Sequence, residues 1–280
     1  MSTSNQTYKE LAIPYFKEVF DIIDRVLIRE GVSYYLIGVS AIALELVKSG
    51  VRPGRGTKDI DFALMVSTMA EYDGIIKTLL DEGFITAEDA PWTIYHPEYN
   101  VAVDLLPFGQ VEENDTISFH ERHSELYVLG FQEVLAHTNP IEIDEKVIQV
   151  PPLPGMVILK LVAWSDRPAE RDNDLTDILK IVEEYYEHEW NEIVDTHHDL
   201  LERIDDVNGQ LKIAARVLGR QAKEYLLKSE TLSTRILGLL EEQLTSAESS
   251  AIARQWAAKK DIEVEEALAI LKECETGIKE

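Results

Sequence analysis

The chain has 280 residues, 45% of them apolar, and 27 basic against 52 acidic side chains give a formal charge of −25. This is enough apolar material for a real core, and the length favours two domains over one. The negative balance repels phosphate backbones, which excludes non-specific DNA binding and requires any cations that serve an anionic substrate to be local.

From about Tyr8 to Arg29 the apolar residues Phe16, Val19, Phe20, Ile23, Val26 and Leu27 recur at helical spacing, with Gly31 as the stop. "SYYLIG" then reads as a short strand ending at Gly38, and "SAIALELVKSG" from Ser40 reads as a helix stopped by Gly50. After the polar loop "VRPGRGTK" comes a second strand, "DIDFALMV", followed by a helix with Ser67 as N-cap and Glu71 in its first turns, ending near Gly83. Residues 84 to 150 are β-rich: "WTIYH", "VAVDLLPF", "IEI" and "KVIQV" are expected to extend the sheet. In "PPLPGMVILKLVAW" the prolines close that region and the rest has helix length and apolar spacing; from there the chain is helical in pattern, with segments near 172–189, 189–206, 210–228, 231–244, 247–258 and 262–274. The expected fold is α+β: a mixed sheet flanked by helices over residues 1–152, followed by a helical domain over 153–280. No apolar run reaches the ~20 residues of a membrane span and the N-terminus lacks a signal-peptide layout, so a cytoplasmic protein with no membrane partner is expected. The one cysteine, Cys274, permits neither an internal disulfide nor a thiolate metal site.

The strand "DIDFALMV" begins with two acids. Side chains alternate faces along a strand, so Asp59 and Asp61 share one face while Ile60, Phe62, Leu64 and Val66 share the other. Two charges about 7 Å apart repel by about 2 kcal/mol at an effective dielectric of ~20, a cost that a divalent cation reverses. Oxygen ligands of this kind suit Mg²⁺, or Mn²⁺ in its place. "VAVDLLPF" carries one acid, Asp104, in an otherwise apolar strand, and a carboxylate there needs a hydrogen-bonding partner or a metal. Two acids on one strand and a third on its neighbour would form the kind of site that serves phosphoryl or nucleotidyl transfer, with the third acid able to draw a proton from the attacking hydroxyl. Upstream, "LIGVSA" puts Gly38 at a strand-to-helix turn, where a residue without a Cβ admits a triphosphate and the Ser40 hydroxyl can donate to it.

These stretches together resemble the nucleotidyltransferases of the DNA polymerase β-like superfamily, and within it the AbiEii-type abortive-infection family. The residues that carry the resemblance are Gly38-Val39-Ser40-Ala41, Arg55-Gly56-Thr57-Lys58-Asp59-Ile60-Asp61-Phe62, Asp104 in "VAVDLLP", and the later "LKLVAWSDRPAERDNDLTDI". The resemblance spans roughly residues 33 to 180, and Val39 departs from it where many relatives carry Gly or Ser. It implies an NTP-using enzyme in which Asp59 and Asp61 hold the metal, Gly38 and Ser40 lie under the triphosphate and Lys160 reaches a phosphate. It also implies a toxin of a toxin–antitoxin or phage-defence pair, acting on an RNA such as tRNA and held by a cognate antitoxin protein.

The residues of the later motif also make sense by themselves. Lys160 and Trp164 lie one helical turn apart, Arg167 follows at the helix end, and Asp174 and Asp177 share a face at i and i+3. A Lys and an Arg beside a metal-bound triphosphate stabilise charge developing on phosphorus. The expected site is therefore Asp59, Asp61, Asp104 and Lys160, supported by Gly38, Ser40, Arg55, Lys58, Arg167, Asp174 and Asp177, in a cleft between the two domains. Competing readings stay open. Arg55 and Lys58 can simply cap the strand, Asp174 and Asp177 can pair with Arg167 or Arg171, and Ser40 can be only an N-cap. His197 and His198 diverge on a helix and read as solvated surface. The acceptor can instead be a small cationic antibiotic, which suits an acidic surface, or the chain can be a catalytically silent binding module.

Overall fold

A computed structural model describes residues 13–48, 50–51, 59–88, 90–120, 123–143 and 146–280. The chain divides into two compact units, Met1–Pro152 and Leu153–Glu280.

The first unit opens with α1 (Phe16–Glu30), β1 (Ser33–Ile37), α2 (Gly38–Val47), β2 (Asp59–Val66) and α3 (Met69–Asp81). The helix expected from Tyr8 does not run through Ile13–Tyr15. It starts at Phe16, immediately after Tyr15, whose left-handed backbone with φ 60° is not helical. Gly31 caps its C-terminus in the left-handed conformation with φ 70°, as the glycine stop implied. The cap of α3 is Thr68 rather than the expected Ser67: the Thr68 hydroxyl accepts from the Glu71 amide at 3.2 Å. Ser67 uses its own amide to donate to the Glu71 carboxylate at 2.8 Å.

There follow β3 (Ile85–Thr86), β4 (Thr93–His96), β5 (Val101–Gly109), β6 (Thr116–Phe119), β7 (Ser124–Tyr127), α4 (Phe131–Leu135), β8 (Asn139–Ile143) and β9 (Lys146–Val150). Five strands form a mixed sheet in the order β1-β2-β5-β4-β3, parallel only between β2 and β5. The later strands do not extend it as expected: β6 pairs with β7 and β8 with β9, in two separate two-stranded sheets. Strand character is a local property, whereas the choice of partner is made by tertiary packing. Pro107 is tolerated in β5 because β4 pairs with that strand only as far as Asp104, so position 107 has a neighbour on the β2 side alone.

The apolar face of β2 is the core face. Ile60, Phe62 and Leu64 are fully buried, and the Phe62 ring stacks on Phe20 of α1 with centroids 6.1 Å apart. The hydroxyl of Tyr72, on α3, donates to the Leu105 carbonyl at 3.0 Å and ties that helix to β5. Burying this face fixes the opposite one, because a one-residue slip would put Asp59 and Asp61 into the core.

The second unit is helical: α5 (Leu153–Asp166), α6 (Asp172–His188), α7 (Trp190–Thr196), a 3₁₀ turn (His198–Arg203), α8 (Gly209–Leu226), α9 (Glu230–Gln243), α10 (Ala251–Lys260) and α11 (Val264–Lys279). Helices α8 and α11 cross at close range, since a Cβ on Gly219 would meet the Cys274 carbonyl and one on Gly277 the Arg216 carbonyl. His198 is exposed, but His197 is not the solvated residue expected. It is buried, with Nδ1 3.2 Å from Arg220, and Arg220 in turn grips Asp199 and Glu280. Burial and then the Arg220 charge hold the imidazole below the ordinary histidine value. Among the described residues no helix is long and apolar enough to cross a membrane.

Candidate active site

The parallel register of β2 and β5 sets Asp61 beside Asp104 and Asp59 beside Ala102. Alternation then puts all three acids on one sheet face, and one carboxylate oxygen of each lies within 4.8 Å of the others. Asp59 is exposed, while Asp61 and Asp104 are half-buried. Three carboxylates this close form a hard, all-oxygen donor set, the chemistry that suits Mg²⁺ or Mn²⁺.

Asp104 is held from its other side by a residue that sequence reasoning did not single out. Thr93 on β4 faces it in antiparallel register, and the Thr93 hydroxyl donates to Asp104 Oδ1 at 2.5 Å. "WTIYH" is legible as a strand, but nothing in its local pattern says which of its residues will face an acid that, for Thr93, lies eleven positions along the chain.

β1 delivers the glycine turn to the same place. Ile37 pairs with Asp61, and Gly38 follows at φ +68°, with the Asp61 carboxylate occupying the space a Cβ would need. The expectation for Gly38 is that it admits a phosphate. In the structure it makes room for an acid, and its left-handed backbone is one that glycine adopts at no steric cost. Ser40 is not the cap of α2, because the N-cap position belongs to Ile37, which makes no side-chain cap. The Ser40 side chain lies within the first turn, 1% exposed, and its hydroxyl has no hydrogen-bond partner among the described residues. Arg55 and Lys58 lie outside the described residues.

In the helical unit, Lys160 is buried on α5 between two acids of α6, with Nζ 2.7 Å from Asp174 and 2.8 Å from Asp177. Burial alone would lower the Lys160 pKa. The Asp174 and Asp177 charges outweigh it, and the net direction is upward. Asp174 also meets Arg171 at 3.6 Å, whereas Arg167 is half-buried and meets Glu170 at 3.9 Å. Of the two arginines weighed as partners for these aspartates, Arg171 makes the contact, and the main partner of both is Lys160.

No protein-family model and no curated protein matches the chain. Among solved structures, the chain is similar to the lincosamide antibiotic adenylyltransferase LnuA in its lincomycin-bound form, at 18% identity and a TM-score of 0.38, over 58% of this chain and 93% of that one. It is similar to an antigenic nucleotidyltransferase-like protein from Paracoccidioides brasiliensis at 16% identity and a TM-score of 0.42, over 72% and 94% of the two chains. The antibiotic-resistance factor ANT(2'')-Ia gives 13% identity and a TM-score of 0.38, over 73% and 92%. Likeness at that level carries no weight for activity, which has to be read from the carboxylates and the elements that place them.

Proposed function

We propose that the chain is a metal-dependent nucleotidyltransferase that moves an NMP from an NTP to a hydroxyl or phosphate acceptor. The observation that supports this most is the convergence of Asp59, Asp61 and Asp104 within 4.8 Å beside a glycine turn that opens a helix. A bound Mg²⁺ or Mn²⁺ would supply charge neutralisation at the phosphates. Gly38 and the amides of the first turn of α2 face the triphosphate, with the buried Ser40 hydroxyl as a further donor. The acceptor oxygen bonds to the α-phosphorus, the bond to the β-phosphate oxygen breaks, and pyrophosphate leaves with the electron pair. Asp104 takes the proton of the attacking hydroxyl.

The remaining assignments draw support from the motif resemblance. Arg55 and Lys58 flank the phosphates, and Lys160 contacts one, with Arg167, Asp174 and Asp177 around it. Lys160 pairs with two carboxylates, so of the three N–H donors of its ammonium one is left for a phosphate. The same resemblance supports an RNA acceptor such as tRNA, a toxin role and a cognate antitoxin. As a second reading, the formal charge of −25 suits a cationic small-molecule acceptor.

The test is incubation of the protein with labelled NTPs and Mn²⁺, first with tRNA and then with small cationic amines. Label on tRNA, lost in Asp61→Asn, is the expected result. Label on an amine alone moves the enzyme to the antibiotic-type class. Metal-dependent NTP binding without transfer to either leaves a silent binding module. Growth arrest on expression of the wild-type chain, absent with Asp61→Asn, would carry the toxin role.

A further inference from the structure

We propose that Thr93 is a positioning residue of the acidic site, whose hydroxyl fixes the Asp104 carboxylate in the orientation from which it shares a cation with Asp59 and Asp61. The inference rests on reading the three acids as a metal site and adds a residue to it.

Four observations carry it. Thr93 stands opposite Asp104 in the β4–β5 register, so the contact is built into the strand pairing. The O–H···O separation of 2.5 Å falls at the short end expected when the acceptor is an ionised carboxylate. The Thr93 backbone is held on both sides: its amide donates to the Ala90 carbonyl at 3.1 Å, and its carbonyl accepts from the Ala87 amide at 3.0 Å. Next to the pair, the Leu105 amide donates to the Trp92 carbonyl at 2.9 Å, which locks β4 against β5.

With its backbone fixed, Thr93 retains only its χ1 torsion, and branching at Cβ makes that torsion stiff. The hydroxyl is therefore presented at one point in space before any ligand arrives. A carboxylate oxygen tethered there cannot rotate freely about its own χ2. Such outer partners orient metal ligands, and their loss typically costs 10–100-fold in metal affinity. A threonine serving the sheet alone would contribute its β-branched shape, which valine reproduces.

Mn²⁺ titration of the full chain, with thermal melts in parallel, separates the two roles. Thr93→Val keeps the shape and removes the donor, and a 10–100-fold weaker Mn²⁺ affinity is expected. Thr93→Ser keeps the donor and should stay close to wild type. Thr93→Ala carries the same expectation as the valine variant if that one does not fold. Unchanged affinity in the donorless variant would overturn the proposal, as would equal weakening in the serine and valine variants. Asp61→Asn serves as the control. If wild type and Asp61→Asn take up Mn²⁺ alike, the metal site itself is wrong and the role of Thr93 falls with it. If only wild type binds and Thr93→Val matches it, the site stands and the Thr93 role alone is lost.

Discussion

Gly38 and Asp61 exclude each other's alternatives: the Asp61 carboxylate occupies the space a Cβ on residue 38 would fill, and the backbone there has φ +68°. A side chain at position 38 thus meets two obstacles, a backbone region that L-residues rarely adopt and a collision with a metal-ligand candidate. Gly38→Ala should cost about 1–3 kcal/mol in stability, the range for a residue held in an unfavourable backbone region. It should also weaken Mn²⁺ uptake, because relief of the collision moves Asp61 away from Asp59 and Asp104. Urea unfolding and metal titration of the same sample check both effects.

Metal binding should stabilise the first unit by mass action. At a free Mn²⁺ concentration of about 100 times Kd, the gain is about 2.7 kcal/mol. Asp61→Asn and Asp104→Asn should abolish that gain while leaving the metal-free fold intact, since both side chains lie on the sheet face opposite the buried Ile60, Phe62 and Leu64. Denaturant midpoints with and without Mn²⁺ decide this.

Lys160 makes a different prediction. Replacing it with Met leaves Asp174 and Asp177 without their ammonium partner in a buried setting, and breaking such an arrangement costs about 3–5 kcal/mol. Adding Asp174→Asn and Asp177→Asn to Lys160→Met should recover much of the loss, because the stranded charges are then gone. The folded pKa of Lys160 is raised, so its stabilisation is complete below the unfolded value of about 10.4 and disappears as pH rises through the higher folded value. Wild-type stability should therefore fall in the alkaline range, and the triple variant should show less of that fall.

His197 acts at the other end of the scale. Its folded pKa is depressed, by burial first and by Arg220 second, with Glu192, Asp199 and Glu280 opposing them. The unfolded chain takes up the proton first, so stability present above about pH 6.5 is lost as pH falls toward the folded value. His197→Phe, which cannot be protonated, should flatten that acid limb. Unfolding midpoints at pH 7.5 and pH 5.5 measure it.

The pattern of "DIDFALMV" by itself determined that Asp59 and Asp61 share a face and that Ile60, Phe62 and Leu64 anchor the other, because strand alternation is a property of consecutive residues. Glycine stops and most helix spans in the second unit were legible for the same reason. Only the tertiary structure decided that Asp61 lies beside Asp104, that Thr93 holds that acid, that Gly38 yields its Cβ space to Asp61, and that Lys160 closes on Asp174 and Asp177. It also made β8 and β9 a separate hairpin and buried His197. Each of these is a choice of partner between segments distant in the chain. Periodicity says which way a side chain points, and only the packed core says what it points at.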